Sequence, residues 1–362
     1  MGNGITGGYK MADIDLKLLH EQISETISTL DFDAIWEGFK PLKFALYNAD
    51  ECFFDGEYVE KTDEFYANTS IECKGERIAI WNVESVMDIP NFASKIVHEM
   101  FHGFQVLEGW DCYADERGAL CKYRYDSENL SIKLLENRLL LELCEKFERD
   151  KYDELMACRR YRRHKFPYEF SYESKVEEIE GTANFVEGEV LEQLDKKKAA
   201  ELFKNMQNVM TKPEYFFPIR ISCYYTGALA IRAMQGAGEY SFTPGMRPTI
   251  ETVLREDSSD IETPVVEKDM AAAVEKAISD FNAESKRIVE SAVSRGEVVL
   301  SGEYLLASPN IYDARFYNGY ITSRFFLAYM DKEEFKNLYG NFVVKMKDDK
   351  YIETVYKWCE EE

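Results

Sequence analysis

The sequence predicts an α+β protein with a mainly helical body, a small N-terminal sheet and a C-terminal β-containing lobe. Three observations carry this. Short aromatic and β-branched runs separated by turns fill 41–83, runs of helical periodicity fill 90–292, and strand texture returns after Gly296. At 362 residues the chain is longer than one core usually needs, so several lobes are expected. The changes in texture divide it at 1–88, 89–295 and 296–362.

The elements follow in order. Ile14, Leu16, Leu18, Leu19, Ile23 and Ile27 have helical spacing within 12–40. Strands are expected at 44–47, 52–54, 57–59 and 78–81, with Asp55-Gly56 as a turn between two of them. Pro90 stands at the entrance of a helix from about Asn91. Helices are then expected at 128–149, 171–193, 197–210, 219–234 and 265–293, punctuated by Pro167, Pro213, Pro218, Pro244 and Pro248. In the last lobe Val298–Leu300 and Glu303–Leu306 read as strands joined by a Ser301-Gly302 turn.

Composition narrows the classes of function. Hydrophobic residues make up 45% and charged residues 31%, the balance of a folded globular protein. The 44 basic and 67 acidic residues give a net charge of −23, a field that repels phosphate backbones and anionic membranes. Neither nucleic acid nor membrane is therefore expected as a partner. The uncharged run Ile221–Ile231, closed by Arg220 and Arg232, is far too short to span a bilayer. Eight scattered cysteines without a C-x-x-C pair, and no signal-peptide pattern, point to reduced thiols in the cytoplasm. Met1–Thr6 formally fits a myristoylation pattern but reads as a Gly-rich leader. The basic run Arg159–Lys165 reads as a solvated face or as a patch that pairs with the protein's own acidic surface, the rival being a dock for substrate carboxylates.

The chemistry concentrates in Ile96–Gln105, I-V-H-E-M-F-H-G-F-Q, which holds His98 and His102, two of only four histidines. On a helix these two stack one turn apart on one side, beside the apolar stripe of Val97, Met100, Phe101 and Phe104. Two imidazoles so placed can both reach one zinc ion at roughly 2.0–2.1 Å. Glu99 projects about 100° further round, where it can face a water without ligating the metal. Zinc lowers the pKa of the water it holds to roughly 7, and a neighbouring carboxylate takes the proton as that water attacks a carbonyl. The H-E-x-x-H pattern thus marks a single-zinc hydrolytic site with Glu99 as general base.

A catalytic zinc needs a third protein ligand. The metzincin pattern is not met, because Gln105 stands where its glycine belongs and Glu108 where its third histidine belongs. A later helix offers carboxylates instead. Val176, Ile179, Ala183, Val186 and Val190 form its apolar stripe, and Glu180 borders that stripe. Glu173, Glu177 and Glu187 lie on roughly the same side and compete with it by geometry.

Here a resemblance enters. E-G-T-A-N-F-V-E at 180–187 resembles the E-G-F-A-S-Y-V-E segment of the aminopeptidase N-like gluzincins, zinc metallopeptidases with an H-E-x-x-H helix. Tyr224-Tyr225-Thr226-Gly227-Ala228 resembles that family's Y-E-K-G-A/F element. The resemblance implies a zincin-like catalytic core, with Glu180 as third zinc ligand beside His98 and His102. It implies that Tyr224 donates a hydrogen bond to the developing oxyanion. Between His102 and Glu180 lie 77 residues, an inserted helical region, and the family's amine-reading G-x-M-E-N segment has no counterpart before His98. Gluzincin chemistry is implied, which leaves an endopeptidase or an unusual exopeptidase.

The expected function is zinc-dependent hydrolysis of peptide bonds in a peptide or protein substrate. The nearest strand for pairing with an extended substrate is Arg77–Asn82. A zinc-binding regulatory protein without turnover and a metal-free helical binding module are the alternative classes.

Overall fold

A computed structural model describes residues 14–85, 87–240 and 262–359. The Met1–Thr6 pattern, Pro244 and Pro248 lie outside the described residues. In chain order come helices α1 (Leu16–Ile27) and α2 (Phe32–Ile35), then strands β1 (Phe44–Tyr47), β2 (Cys52–Phe54), β3 (Glu57–Val59), β4 (Thr69–Cys73) and β5 (Glu76–Asn82). Next are α3 (Ile89–Leu107), α4 (Glu116–Lys122), α5 (Ser127–Glu145), α6 (Arg149–Lys165) and α7 (Pro167–Val176). A π-turn (Glu177–Gly181) leads into α8 (Thr182–Leu194), followed by α9 (Lys196–Met210), a 3-10 turn (Pro213–Phe216) and α10 (Ile219–Ala237). Helix α11 (Lys268–Arg295) and strands β6 (Val298–Pro309), β7 (Arg315–Tyr317), β8 (Tyr320–Ser323), β9 (Phe326–Asp331), β10 (Glu334–Tyr339), β11 (Phe342–Met346) and β12 (Tyr351–Lys357) complete it. The protein is thus mixed α+β, with a small sheet near its start and a second sheet at its end. Among the described residues no helix is long and apolar enough to cross a membrane.

The described chain divides into two compact units, 14–112 with 182–205, and 113–181 with 206–240 and 262–359. The first carries the small sheet, in the order β3-β2-β1-β5-β4. Strands β1 and β5 are parallel and the other neighbours antiparallel. Asp55-Gly56 and Lys74-Gly75 take positive φ at both positions, the backbone of a two-residue hairpin whose twist matches its strands. The sheet buries Ala45, Tyr47, Cys52, Phe54, Ile78 and Ile80 on one side. Strand β5, the one expected to receive a substrate, is internal, paired with β1 and β4 on its two sides. The edge belongs to β4, whose T-S-I-E-C sequence has too little apolar alternation to announce a strand.

Helix α3 packs close to β4 and β5. A side chain on Gly103 would collide with Leu42 and come within 3.2 Å of the Arg77 stem and 3.4 Å of Ser70 Cβ. Glycine there sets the depth of the helix that carries both histidines. Trp36, Phe39, Phe101 and Phe185 fill the opposite side with edge-on aromatic contacts of 4.9–6.2 Å.

In the second unit, α4–α7, α10 and α11 accompany a seven-stranded antiparallel sheet ordered β10-β9-β6-β12-β11-β8-β7. Three expectations are corrected here. The helix expected to run unbroken over 171–193 is interrupted by the π-turn at Glu177–Gly181. The Ser301-Gly302 turn does not form, because β12 and β9 pair with the chain on either side and keep β6 extended through it. The basic run is only partly a solvated face: His164 and Lys165 are exposed, but Arg159 and Arg162 are each 1% exposed and meet their acidic partners in the interior, not at the surface.

That burial has a cause. Arg159 donates to Glu177 at 2.6 and 2.9 Å, and Arg162 to Glu136 at 3.1 Å and to Glu173. Lys133 lies 3.2 Å from both Glu173 and Glu177. Three cations and three carboxylates therefore neutralise one another inside the unit, where an unpaired charge would cost several kcal/mol.

Candidate metal centre

Helix α3 starts from its own local signals. Asp88 caps it, accepting from the Asn91 amide at 3.3 Å, and Pro90 occupies the first turn, where no intrahelical partner exists for its missing N–H. Four-residue spacing then stacks His98 and His102, with their Nε2 atoms 3.1 Å apart.

The other nitrogen of each ring faces an acceptor. His102 Nδ1 lies 2.8 Å from Gln105 Oε1, and the Gln105 amide nitrogen donates to Thr182 Oγ1 at 2.9 Å. A carbonyl oxygen only accepts, so this pairing assigns the His102 proton to Nδ1. His98 Nδ1 lies 3.3 Å from Glu187 Oε2, an ion-pair distance without the alignment of a regular hydrogen bond. Burial by itself would raise the Glu187 carboxyl. The His98 contact and the Lys95 ammonium 3.1 Å away outweigh it and bring it down to about 2. At neutral pH Glu187 is therefore a carboxylate, an acceptor charge 3.3 Å from His98 Nδ1.

The two Nε2 atoms face the same space. Two acceptors 3.1 Å apart repel unless a proton or a cation lies between them. The separation is close to the roughly 3.3 Å between two nitrogens each about 2.0–2.1 Å from one tetrahedral ion. Acceptors on the far ring nitrogens are also what metal-ligating histidines require to fix their tautomer.

The helix that carries Glu187 extends backward into the π-turn, and Glu180 sits in that turn. The ligand atoms of His98, His102 and Glu180 all lie within 4.8 Å of one another, so this group could hold a metal ion. Two imidazoles and one carboxylate are a donor set that suits zinc. The three competing glutamates are engaged elsewhere. Glu173 accepts from Tyr123 at 2.6 Å and pairs with Arg162, while Glu177 accepts from Arg159 and from Thr226 Oγ1 at 2.6 Å. Glu187 serves His98 and Lys95. Glu99 is 8% exposed on α3 and lies outside the three-residue group.

Helix α10 supplies two side chains near Glu180, Arg220 and Tyr224. Arg220 donates through Nη2 to Glu180 Oε1 at 2.6 Å and to the Tyr224 hydroxyl at 3.1 Å, and through Nη1 to Glu116. Glu116 also accepts from Tyr172 at 2.7 Å, and burial raises its carboxyl. Burial first, and then the Glu180 carboxylate, push the Tyr224 phenol far above its ordinary value. It keeps its proton and remains a donor.

The glycines of the two motifs have a shared reason. A Cβ on Gly181 would lie 2.5 Å from Gly227 Cα, and one on Gly227 would lie 2.6 Å from the Glu177 carbonyl oxygen. Only a glycine pair lets the π-turn and α10 approach with their backbones in contact. The wide turn, closed by i→i+5 bonds, also separates Glu177 from Glu180 around the axis. One then meets the buried cations and the other meets Arg220.

Three participants were not read from the sequence: Gln105, Arg220 and the supporting position of Glu187. Spacing offered a signal for two of them. Gln105 stands three residues after His102 and Arg220 four before Tyr224, each on the same helical side as its neighbour. Compared with known proteins, the chain matches no family model, no curated protein and no solved structure.

Proposed function

We propose that the protein is a single-zinc hydrolase of gluzincin type that cleaves peptide bonds, with a zincin-like core around α3 and α8. The observation that carries this reading is the pair of Nε2 atoms 3.1 Å apart, each ring with an acceptor near its other nitrogen, grouped with Glu180. His98, His102 and Glu180 would hold the ion. Zinc bound there would supply an acidified water and polarisation of the substrate carbonyl.

The chain's own residues do the rest. Glu99 takes a proton from the attacking water and returns it to the leaving nitrogen as the C–N bond breaks, forming a carboxylate and a free amine. The Tyr224 phenol donates to the oxygen on which negative charge develops. Gln105 and Glu187 hold the imidazoles in the tautomer that leaves Nε2 available. An extended peptide would add to the open edge at β4, paired on its other side with β5. Eight scattered cysteines without a C-x-x-C pair suit a reducing setting such as the cytoplasm.

The test separates binding from turnover. Glu99→Gln keeps the shape of the site and removes the base, so it is expected to retain zinc and lose about 10²–10⁴-fold in hydrolysis of a mixed peptide library. Hydrolysis by Glu99→Gln at the wild-type rate contradicts the reading.

A further inference from the structure

Arg220 has no role in the hydrolytic scheme above, yet it donates to two of the side chains in it, Glu180 and Tyr224. It is 8% exposed, and its Nε is buried without a hydrogen-bond partner. The side chain is thus held by the two ends of its fork, at the cost of an unsatisfied donor. One end, Nη1, meets Glu116, which Tyr172 holds in turn at 2.7 Å. The other end, Nη2, has two hydrogens and uses both, one toward Glu180 Oε1 at 2.6 Å and one toward Tyr224 Oη at 3.1 Å. Four elements, α4, α7, the π-turn and α10, converge on this one guanidinium.

Two consequences follow from hydrogen-bond direction alone. Arg220 donates to one oxygen of Glu180, so the carboxylate is held in a fixed rotation. The Tyr224 hydroxyl accepts from Arg220, so its own proton must point elsewhere. A guanidinium fork fixes both at once, because its donors lie in one plane at set angles, which a lysine ammonium does not reproduce.

We propose that Arg220 is a positioning residue that sets Glu180 for metal binding and Tyr224 for donation through a single nitrogen. This rests on the metal reading of His98, His102 and Glu180. It also runs against simple electrostatics. Removing a cation beside a metal site relieves repulsion and by itself tightens binding of a divalent ion. Loss of positioning weakens it.

The experiment measures Zn²⁺ affinity by competition with a chromogenic chelator, for wild type, Arg220→Met, Arg220→Lys, Glu180→Gln, Tyr224→Phe and the Arg220→Met/Glu180→Gln pair. Thermal melts of each protein identify variants that do not fold. Arg220→Met is expected to lose about 10–100-fold in affinity, the range found when partners of metal ligands are removed. Arg220→Lys should fall between it and wild type and, keeping the charge, serves as the folded probe should the Met variant not fold. Tyr224→Phe should stay within about two-fold of wild type, because the phenol is positioned without ligating. The double variant should bind no more weakly than Glu180→Gln, since the two substitutions remove one function. Tighter binding by Arg220→Met, or losses that add in the double variant, overturns the positioning role while leaving the metal centre standing. Absence of Zn²⁺ binding by the wild type removes the metal reading, and the role of Arg220 with it.

Discussion

Glu187 shows how a residue can be placed on the right face of a helix while pattern alone leaves its task open. Its spacing put it among the candidates for third ligand, and periodicity had no means of ranking them. What separates it from Glu180 is the partner each meets: the back of the His98 ring for one, Arg220 for the other. The pattern of His98, Glu99 and His102 was legible because four-residue spacing on a helix fixes their relation to one another. Gln105 and Arg220 were less so, since their partners are set by side-chain direction. Glu187→Gln keeps an acceptor oxygen near His98 but removes the charge that orients its ring. Zn²⁺ affinity measured by chelator competition is expected to fall about 10–100-fold. An unchanged affinity means that Glu187 is only an ion pair with Lys95.

At the scale of elements, α5, α6, α7, the π-turn and α10 are joined by buried charge as much as by apolar packing. Burial opposes ionisation of Glu177, but Arg159 and Lys133 overcome it and hold the carboxyl well below its usual range. Glu173 is lowered likewise by Arg162 and Lys133. Glu136, Asn129, Tyr123, Cys223 and Thr226 lie around them. A carboxylate with a depressed pKa contributes stability that is complete above its unfolded value, about 4.3. That contribution is lost as pH falls toward the folded value. Urea midpoints of metal-free protein are therefore expected to drop progressively below about pH 5. Glu177→Gln leaves Arg159 and Lys133 short of a partner, and should cost about 3–5 kcal/mol at pH 7 and flatten the acid slope. A slope identical to wild type would place the acid sensitivity elsewhere. The basic run was legible as charge but not as core, because the sequence does not show that its acidic partners lie across a helix bundle. The π-turn was hidden for a similar reason, since it forms where two glycines on distant segments meet. Strand β4 had too few apolar residues to be seen, whereas α3 announced itself through Asp88, Pro90 and a continuous stripe.

For the whole molecule, texture alone separated the early sheet, the helical stretch and the closing sheet, because period-2 and period-3.6 patterns differ over tens of residues. The connections that make a site were beyond it. Residues 98, 102, 180, 220 and 224 come from segments far apart in the chain, and periodicity gives the face of a helix but not what meets that face. The net charge of −23 gains meaning from the fold. Three of the basic residues are neutralised inside the second unit by three glutamates, so the excess negative charge lies outside that cluster, where it favours cations over anions. The central claim is that His98, His102 and Glu180 hold one ion. Elemental analysis of bound zinc in wild type, His98→Ala, Glu180→Gln and Glu99→Gln tests it most directly. About one zinc per chain is expected in wild type and Glu99→Gln, with loss in the other two. Zinc retained by Glu180→Gln, or no zinc in wild type supplied with the metal, contradicts it.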